Sequence, residues 1–356
     1  MTPEIDRAIR RVLASGQFIL GPELEALERE VAAACGTRHA VGVASGTDAL
    51  ILALRACGIG PDDEVVTSAY SFFATAEAIL AVGATPIFVD IEPATYTLDP
   101  RQVASSITRR TRAILPVHLY GHPADLRAIL RIARAHRLTV IEDCAQAIGA
   151  AVGGCPVGSF DEAAAFSFYP SKNLGACGEG GMVLTPSAAI AEQVRLLRNH
   201  GSRRRYQHLL LGTNSRLDEL QAAILRVKLQ RLARWNAARR RLAARYARAF
   251  ARHGLLRQVV LPETRAGCTH VFHLYVIRIR QRDRIQRHLA RVGIDTQVAY
   301  PSTVPSQPAL RRIIRRRRRY PIAEAVSRDI LALPMYPELT ATQVERVVAM
   351  IANVCR

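Results

Sequence analysis

Residues 139–146 read TVIEDCAQ, and residues 163–175 read AAAFSFYPSKNLG. Each stretch begins with a short apolar run that has the length and composition of a strand buried on both faces of a sheet. The first run ends in two acidic residues, and the second leads into Ser167 and Lys172. Because ligands bind at the carboxyl ends of the strands in open α/β sheets, the two stretches predict both a fold class and the position of a site.

The same rhythm of short apolar runs and helical patterns extends along the first two thirds of the chain. The seven candidate strands are Val41–Ala44, Glu64–Thr67, Pro86–Asp90, Ala113–His118, Thr139–Asp143, Ala163–Phe168 and Gly181–Thr185. Helical patterns lie between several of them, at Thr47–Cys57, Ser71–Val82 and Asp125–His136. This alternation is typical of βαβ units, so we predict an α/β fold with a mostly parallel, seven-stranded sheet.

The last third of the chain has a different pattern. A long amphipathic helix starts near Ser215 and leads out of the region of alternating strands and helices. The segments that follow it are a strand at His273–Ile279, a helix at Arg282–Val292, a proline-rich loop at Pro301–Pro308 and a final helix at Thr340–Asn353. We therefore predict a large domain at 1–250 and a smaller α+β domain at 251–356.

The charge of the chain is strongly positive, at +19 over 356 residues, with 47 arginines and only two lysines. A nucleic-acid-binding protein, an enzyme for anionic substrates and a general preference for arginine would each produce this charge. The one dense run, Arg315–Arg319, has no interleaved aromatic residues, which favours a solvated surface or contact with a substrate's phosphates. We therefore expect no nucleic acid as a partner.

Sequence features also bear on the compartment. No apolar run approaches the roughly 20 residues needed to cross a bilayer, and the N-terminal residues lack the apolar core of a signal peptide. The seven cysteines include no C-x-x-C pair. These features predict a cytoplasmic protein without membrane contact, in which cysteine serves mainly as a small core residue.

The scarcity of lysine narrows the choice of a reactive amine. An arginine guanidinium keeps its proton and cannot condense with a carbonyl, so only Lys172 and Lys228 are available. Lys228 lies in the arginine-rich helical stretch Leu217–Arg252, whereas Lys172 follows a strand in a turn-prone segment. The position of Lys172 is typical of a lysine that forms a Schiff base with an aldehyde.

Other polar groups lie at predicted strand and helix ends, and each has two interpretations. Residues 45–47, SGT, follow a strand and open a helix, so their N–H groups suit a phosphate or serve only as a helix cap. A carboxylate at a buried strand end, such as Asp143, needs a partner: a pyridinium nitrogen would serve, and so would a helix N-terminus. Ser167 can donate to a phosphate, and residues 212–223 open the long helix with polar groups.

Together these segments resemble the DegT/DnrJ/StrS family of sugar aminotransferases. The matching segments are SGTDAL (45–50), EDCAQA (142–147), SFYPSKNLG (167–175), GEGGMV (178–183), GTNSRLDELQAAILRVK (212–228), YPSTVPSQPAL (300–310) and LPMYPEL (333–339). Their order and spacing span nearly the whole chain. The resemblance implies a fold-type-I transferase that depends on pyridoxal 5'-phosphate, normally a homodimer with two composite active sites.

The resemblance also assigns roles to single residues. The lysine that carries the cofactor corresponds to Lys172, the acid that binds the ring nitrogen to Asp143, and the glutamine near the ring hydroxyl to Gln146. The residues that match the family's phosphate cup are Gly46, Thr47 and Ser167. Phe72 is the expected aromatic stacked on the ring, with core packing as its alternative, and Asn214 matches a residue that the partner subunit donates to the phosphate.

The candidate substrate-binding residues are Tyr169, Arg216 and Tyr300. Most relatives have histidine at the position of Tyr169, and the tyrosine form resembles the subgroup that aminates carbon 3 of the sugar. Relatives usually have a histidine at the position of Ala299 and often another at Pro305. These differences affect the identity of the sugar more than the chemistry.

The implied activity is transamination of a nucleotide-linked keto-deoxysugar, with dTDP as the expected nucleotide and L-glutamate as the amino donor. A 3-keto-6-deoxyhexose is favoured over a 4-keto sugar. A dehydratase of the same family is a rival, but such relatives typically replace the lysine with histidine, and this chain has Lys172. The other rival is a nucleic-acid-binding regulatory protein. His270 and His273 lie in a strand-like context, so we expect no metal site there.

Overall fold

The computed structural model describes residues 2–311, 313 and 318–355, so residues 315–317 of the predicted arginine run lie outside the described residues. The helices are α1 Thr2–Ser15, α2 Pro22–Cys35, α3 Gly46–Ala56, α4 Ala74–Ala81, α5 Pro100–Ser106, α6 Leu126–His136, α7 Ala188–Leu197, α8 Glu219–Arg252, α9 Arg282–Arg291, α10 Pro321–Asp329 and α11 Ala341–Cys355. Two single turns of 3₁₀ helix lie at Leu119–Gly121 and Val304–Ser306.

The strands comprise a large sheet and several short pairings. They are β1 His39–Val43, β2 Glu64–Ser68, β3 Thr85–Val89, β4 Thr111–Leu115, β5 Thr139–Asp143, β6 Ala151–Val152, β7 Cys155–Pro156, β8 Ala163–Ser167, β9 Gly181–Thr185, β10 Ser202–Arg204, β11 Gln207–His208, β12 Val259–Val260, β13 Cys268–Thr269, β14 Tyr275–Ile279 and β15 Ile330–Leu333. The seven predicted strands correspond to the seven strands of the large sheet.

The large sheet has the order β1-β9-β8-β5-β4-β2-β3. Strand β9 is antiparallel to both of its neighbours, and the other pairings in the sheet are parallel. The predicted α/β fold with a mostly parallel, seven-stranded sheet is therefore confirmed. All the strands except β9 run in one direction, so their carboxyl ends share one edge of the sheet.

Side chains on the two faces of the sheet belong to two separate apolar cores. In β5, Ile141 packs with the core under α3 and α4, whereas Val140 packs with the core under α2 and α6. Successive side chains of a strand point to opposite faces. The next two residues follow the same alternation, so Glu142 lies on the Val140 face and Asp143 on the Ile141 face.

Helix α8 joins this region to a third core. Its first half contributes Leu225 to the core of the large sheet, and its second half contributes Tyr246 to a core that also includes Ile277 and Leu331 of the sheet β12-β14-β15. At about 1.5 Å per residue, 34 residues extend roughly 50 Å, which is long enough to span both cores. None of the described helices, α8 included, combines the length and the apolar character that crossing a bilayer requires.

One predicted boundary differs in a way that matters for the site. The pattern predicts a helix from Ser71, but α4 begins at Ala74. Residues 71–73 continue from the end of β2 as a loop, in which the Phe72 side chain is 59 % exposed. The apolar periodicity of residues 71–82 predicts a helix, but residues 71–73 form a loop. Side chains of this loop line the cavity described below.

Candidate active site

A cavity of about 790 Å³ opens at the carboxyl edge of the large sheet. The predicted site residues that line it are Gly46, Thr47, Phe72, Asp143, Gln146, Ser167, Tyr169, Lys172 and Tyr300. They follow β1, β2, β5 and β8, together with the loop at residue 300. The fold thus brings together side chains that are up to about 250 positions apart in the chain, at the edge where ligands bind in such sheets.

The start of α3 offers unpaired donors at one end of this cavity. Ser45 caps the helix by accepting from the backbone N–H of Asp48 at 3.1 Å. The N–H groups of Gly46 and Thr47, the first two residues of α3, have no acceptor in the part of the chain that the structure describes. A Cβ on Gly46 would lie 2.6 Å from the Cβ of Ser167, so only glycine permits this close approach. These groups form a cradle that fits a phosphate.

Asp48 in the first turn of α3 does not oppose a phosphate at this position. Its Oδ2 accepts from the Ser215 Oγ at 2.7 Å, and that Oγ in turn accepts from the Ala44 N–H at 3.2 Å. The carboxylate is therefore held against the segment before α8.

Asp143, at the end of β5, is a buried carboxylate with two donors. Its Oδ2 accepts from the Thr75 hydroxyl at 2.8 Å, and its Oδ1 accepts from the Ala145 N–H at 3.2 Å. Thr75 uses its hydroxyl proton in this bond. The Ser71 hydroxyl, whose Oγ lies 2.8 Å from the Thr75 Oγ1, therefore donates to Thr75. Burial raises the pKa of Asp143, while the Thr75 and Ala145 bonds and the charge of Lys172 lower it.

Lys172 lies in the loop after β8, where its backbone N–H donates to the Tyr169 carbonyl at 2.9 Å. The Lys172 Nζ donates no hydrogen bond to any atom within residues 2–311, 313 and 318–355, so the amine faces the cavity without a protein acceptor. Burial lowers the pKa of Lys172, and the charge of Asp143 acts in the opposite direction. Lys228, in contrast, donates from its Nζ to the Gly175 carbonyl and does not line the cavity.

Gln146 connects two segments around the cavity. Its Oε1 accepts from the Tyr120 N–H at 2.6 Å, and its Nε2 donates to the Tyr300 hydroxyl oxygen at 2.6 Å. Tyr300 has a φ of +64°, which is rare for a residue with a side chain, and its ring stacks on that of Tyr120 with centroids 6.0 Å apart. Burial raises the pKa of Tyr300 to about 12, so its hydroxyl is protonated at neutral pH.

Aromatic side chains border the mouth of the cavity. Phe72 is exposed rather than packed in the core, so the core interpretation of this residue is wrong. Its ring centroid lies 6.3 Å from that of Tyr300. Tyr169 is also half exposed and lines the cavity. Ala299 lies in the wall, and its carbonyl accepts from the Tyr70 hydroxyl at 3.1 Å.

Two predicted site residues do not line this chain's own cavity. Asn214 is exposed, and its backbone pairs with Asn199 in an isolated bridge. Arg216 donates from Nη1 to the Asn199 side chain at 3.1 Å, and its buried Nε has no partner in the described part of the chain. The roles predicted for both residues stay predictions here.

A buried cluster behind β5 brings together groups that can bind metals, namely His118, Glu142 and Cys144. The His118 Nδ1 accepts from the Ala124 N–H, so its Nε2 carries the proton and donates to Glu142 at 2.9 Å. Burial raises the pKa of Cys144 well above its usual range, which keeps the thiol protonated. The cluster is therefore satisfied as a hydrogen-bonded support for β5.

Sequence reasoning missed two residues at the site. Thr75 lies four positions after Ser71, and this local spacing is visible in the sequence. Its hydrogen bond to Asp143 is not, because the two residues are 68 positions apart. His273 lines the cavity beside Lys172. In the sequence, His273 stands out only as a possible metal ligand beside His270, because no local pattern shows that its side chain lies near Lys172.

The site fits pyridoxal phosphate by its own chemistry. The glycine cradle and free N–H groups suit a phosphate, and an aromatic side chain borders the open mouth. The Lys172 amine, which has no hydrogen-bond acceptor in the described part of the chain, faces the cavity, as a Schiff base to an aldehyde requires. Asp143 presents a carboxylate that suits a protonated ring nitrogen.

Comparison with known proteins agrees with this chemistry. The model of the DegT/DnrJ/EryC1/StrS aminotransferase family matches residues 1–352. The chain is 49% identical to the dTDP-3-amino-3,4,6-trideoxy-alpha-D-glucose transaminase of Streptomyces venezuelae, over 97% of this chain and 90% of that one.

Two solved structures have the same fold. One is S. venezuelae DesV in complex with an intermediate, with a TM-score of 0.97 and 47% identity over 100% of this chain and 95% of that one. The other is NtdA from Bacillus subtilis with bound cofactor PMP, with a TM-score of 0.91 and 33% identity over 99% of this chain and 82% of that one.

Proposed function

The chain belongs to the DegT/DnrJ/EryC1/StrS aminotransferase family, and from this membership we propose that it transfers an amino group from L-glutamate to a dTDP-linked 3-keto-6-deoxyhexose. It is an aminotransferase whose cofactor is pyridoxal phosphate. The observation that carries the proposal is that one cavity contains both a lysine amine with no hydrogen-bond acceptor among the described residues and a buried, hydrogen-bonded aspartate. The product is an amino sugar of natural-product or cell-surface glycan biosynthesis.

The residues of the site divide the work of transamination. When bound, the cofactor supplies the aldehyde carbon that takes up the amino group and a ring that accepts electrons from the reacting carbon. Lys172 would hold that aldehyde in the resting enzyme, and its free Nζ would take and return the proton that leaves the donor's α carbon. Asp143 keeps the ring nitrogen protonated. Gly46, Thr47 and Ser167 bind the phosphate. The second half of the transamination repeats these steps in the reverse direction and transfers the amino group to the sugar.

The choice of sugar rests on two supports. The S. venezuelae relative is named as a transaminase of a dTDP-linked sugar with its amino group on carbon 3. Tyr169 at the cavity mouth has the residue type that resembles the 3-aminating subgroup. Positive charge suits the diphosphate of such a substrate, because arginine binds phosphate oxygens with paired hydrogen bonds. Arg216 is a candidate for this contact from the partner subunit.

The proposal is tested by mass spectrometry of products formed with ¹⁵N-labelled L-glutamate. We expect ¹⁵N in the sugar product from a dTDP-3-keto-6-deoxyhexose. Incorporation should be at least tenfold lower with the 4-keto isomer, whose ketone is on another carbon, and with a UDP-linked 3-keto sugar, whose nucleotide is different. Incorporation into the 4-keto isomer alone would overturn the regiochemistry. Holoenzyme that incorporates ¹⁵N into none of the three would overturn the substrate class.

We also propose that the active protein is a homodimer in which Asn214 reaches the partner's phosphate. Asn214 is exposed and is not among the residues that line its own cavity, and exposed apolar side chains such as Leu211 lie close to it in the chain. Mixing an Asn214→Ala chain with a Lys172→Arg chain should then create one complete site per hybrid dimer and restore activity. If Asn214 acts on its own chain's site, the mixture will show no more activity than the two variants alone.

Two further assignments follow as proposals. All seven cysteines lie in the described part of the chain, and each is a free thiol, which suits a reducing cytoplasm. The division into a large domain at 1–250 and a small domain at 251–356 is supported by the separate core around Ile277 and Leu331.

A further inference from the structure

The backbone of residues 271–274 is held rigidly beside the cavity. The buried guanidinium of Arg239 donates from Nη1 to the carbonyls of Phe272 at 3.1 Å and His273 at 3.2 Å, and to that of Met335 at 2.9 Å. Phe272 has a φ of +44°, a strained conformation for a residue with a bulky side chain. Such strain persists only where the surroundings enforce it, and it is concentrated at functional sites. Here it precedes His273, which lines the cavity.

A chain of side-chain amides fixes the tautomer of His273. The Asn173 Nδ2 donates both of its protons, to the Asn236 Oδ1 at 2.8 Å and to the Val271 carbonyl at 3.1 Å. The Asn236 orientation is set in turn, because its Nδ2 donates to the Ile148 carbonyl at 2.9 Å. The Asn173 Oδ1 can therefore only accept, and it lies 3.3 Å from the His273 Nδ1. The proton of the imidazole is thus on Nδ1, and Nε2 has a free lone pair.

The imidazole remains neutral. Burial lowers the pKa of His273 well below its usual range, and the positive charges of Lys172 and Arg239 lower it further. The hydrogen bond described for the His273 ring is that of Nδ1 to Asn173, so Nε2 has no protein donor among the residues that the structure describes. Because His273 lines the cavity, a ligand, a water or a moving side chain can supply a donor to this Nε2.

A group that can supply this donor is the amine of Lys172, whose positive charge acts on the His273 ring. Lys172 lines the same cavity, and its Nζ has donors but no acceptor in the described part of the protein. We propose that His273 is a positioning residue for Lys172: its Nε2 accepts a hydrogen bond from the Lys172 Nζ whenever that amine is released from the cofactor. This bond limits the directions in which the amine can take and return a proton. The inference rests on the proposed function, because it concerns the same lysine.

Other charged and titratable groups around Lys172 are engaged differently. Asp143 already accepts two hydrogen bonds on the floor of the site. Glu179 is an exposed acid on the rim, and the Tyr300 hydroxyl oxygen accepts from Gln146. His273 therefore offers a neutral acceptor in the same cavity as the amine.

Two variants separate this role from simple support of the fold. His273→Gln can place an amide oxygen near the position of Nε2, whereas His273→Asn retains only a group near Nδ1 that can reach Asn173. Both are measured in the form of the holoenzyme that glutamate produces, in which Lys172 is free. The chain has only two lysines, so pulsed acetylation followed by peptide mass spectrometry reads Lys172 directly, with Lys228 as an internal control.

A hydrogen bond from an ammonium to Nε2 stabilises the protonated amine, so losing it increases the fraction of free amine. We expect His273→Asn to acetylate at Lys172 about tenfold faster than wild type at low pH and equally fast at high pH, where only access matters. His273→Gln should follow wild type. In glutamate half-reactions, His273→Asn should lower the rate constant about tenfold with an unchanged half-saturating concentration, and His273→Gln should restore most of it.

The proposal would be overturned if the acetylation rate of Lys172 depended on pH in the same way in wild type and His273→Asn. It would also be overturned if the profile of His273→Gln were displaced as far as that of His273→Asn. A measurement on unaltered protein guards against misfolded variants: ¹⁵N NMR should show a neutral His273 with its proton on Nδ1, and a proton on Nε2 would equally refute it. Wild type that does not lose its visible absorbance with glutamate would instead refute the proposed transamination. If wild type does lose its visible absorbance with glutamate but the His273 variants do not differ from it in the acetylation of Lys172, only the role of His273 is refuted.

Discussion

Lys172→Arg should abolish transamination, with a loss on the order of 10⁴-fold or more, whereas Lys228→Arg should retain it. Both substitutions keep a positive charge and remove a primary amine, so the two differ only in position. A guanidinium does not lose its proton at neutral pH, so it can neither condense with an aldehyde nor move a proton from carbon. At residue 228 the guanidinium can still donate to the Gly175 carbonyl that Lys228 contacts.

The measurement is the visible absorbance of purified protein supplied with pyridoxal phosphate, followed by borohydride reduction and peptide mapping. Wild type and Lys228→Arg should carry the reduced adduct on Lys172, and their absorbance should fall when glutamate is added. Lys172→Arg should show neither. An adduct on Lys228 of the wild-type protein, or a coloured and active Lys172→Arg protein, would show that the amine has been assigned to the wrong lysine.

The sequence predicted the large sheet and the residues at its carboxyl edge because both depend on local patterns. Seven short apolar runs correspond to its seven strands, and the ends of Thr139–Asp143 and Gly181–Thr185 agree to the residue. Polar groups at the ends of buried runs are conspicuous, since they must be paired or exposed to a ligand. Asp143 and Lys172 could therefore be identified before their surroundings were known.

The surroundings could not be predicted, because they depend on contacts between distant parts of the chain. Thr75 donates to a carboxylate 68 positions away, and the Asn173–His273 bond joins residues 100 apart. No local periodicity encodes such pairs. The loop at Phe72 was misread as helix for a related reason: its apolar residues fit the helical period, but one of them faces a cavity instead of the core.

Burial shifts the pKa values of Asp143 and Lys172 in opposite directions. It raises the pKa of Asp143 and lowers that of Lys172, and in both cases the charge of the other residue opposes the effect. Asp143 forms no ion pair with another described residue, so its buried carboxylate can still bind a cation directly. A protonated ring nitrogen would supply that cation, which makes Asp143 the group on which the electronic role of the cofactor depends.

Asp143→Asn should accordingly lower kcat by roughly 10³-fold, equivalent to about 4 kcal/mol of lost transition-state stabilisation. The amide has the size of the carboxylate and can still accept from Thr75, so the protein should fold and the Schiff base to Lys172 should still form. It cannot hold a proton on the ring nitrogen. Activity should fall while the visible absorbance remains, and this separation distinguishes an electronic role from loss of cofactor.

Thr75→Val provides the matched comparison, because it removes the donor and leaves the carboxylate. The Thr75 bond lowers the pKa of Asp143, so its loss raises that pKa. Asp143 is then protonated at a higher pH, and the acid limb of the kcat profile should move upward, with a loss of about tenfold or less at neutral pH. An acid limb that stays in place in Thr75→Val, or an Asp143→Asn enzyme within tenfold of wild type, would mean that another group controls the ring.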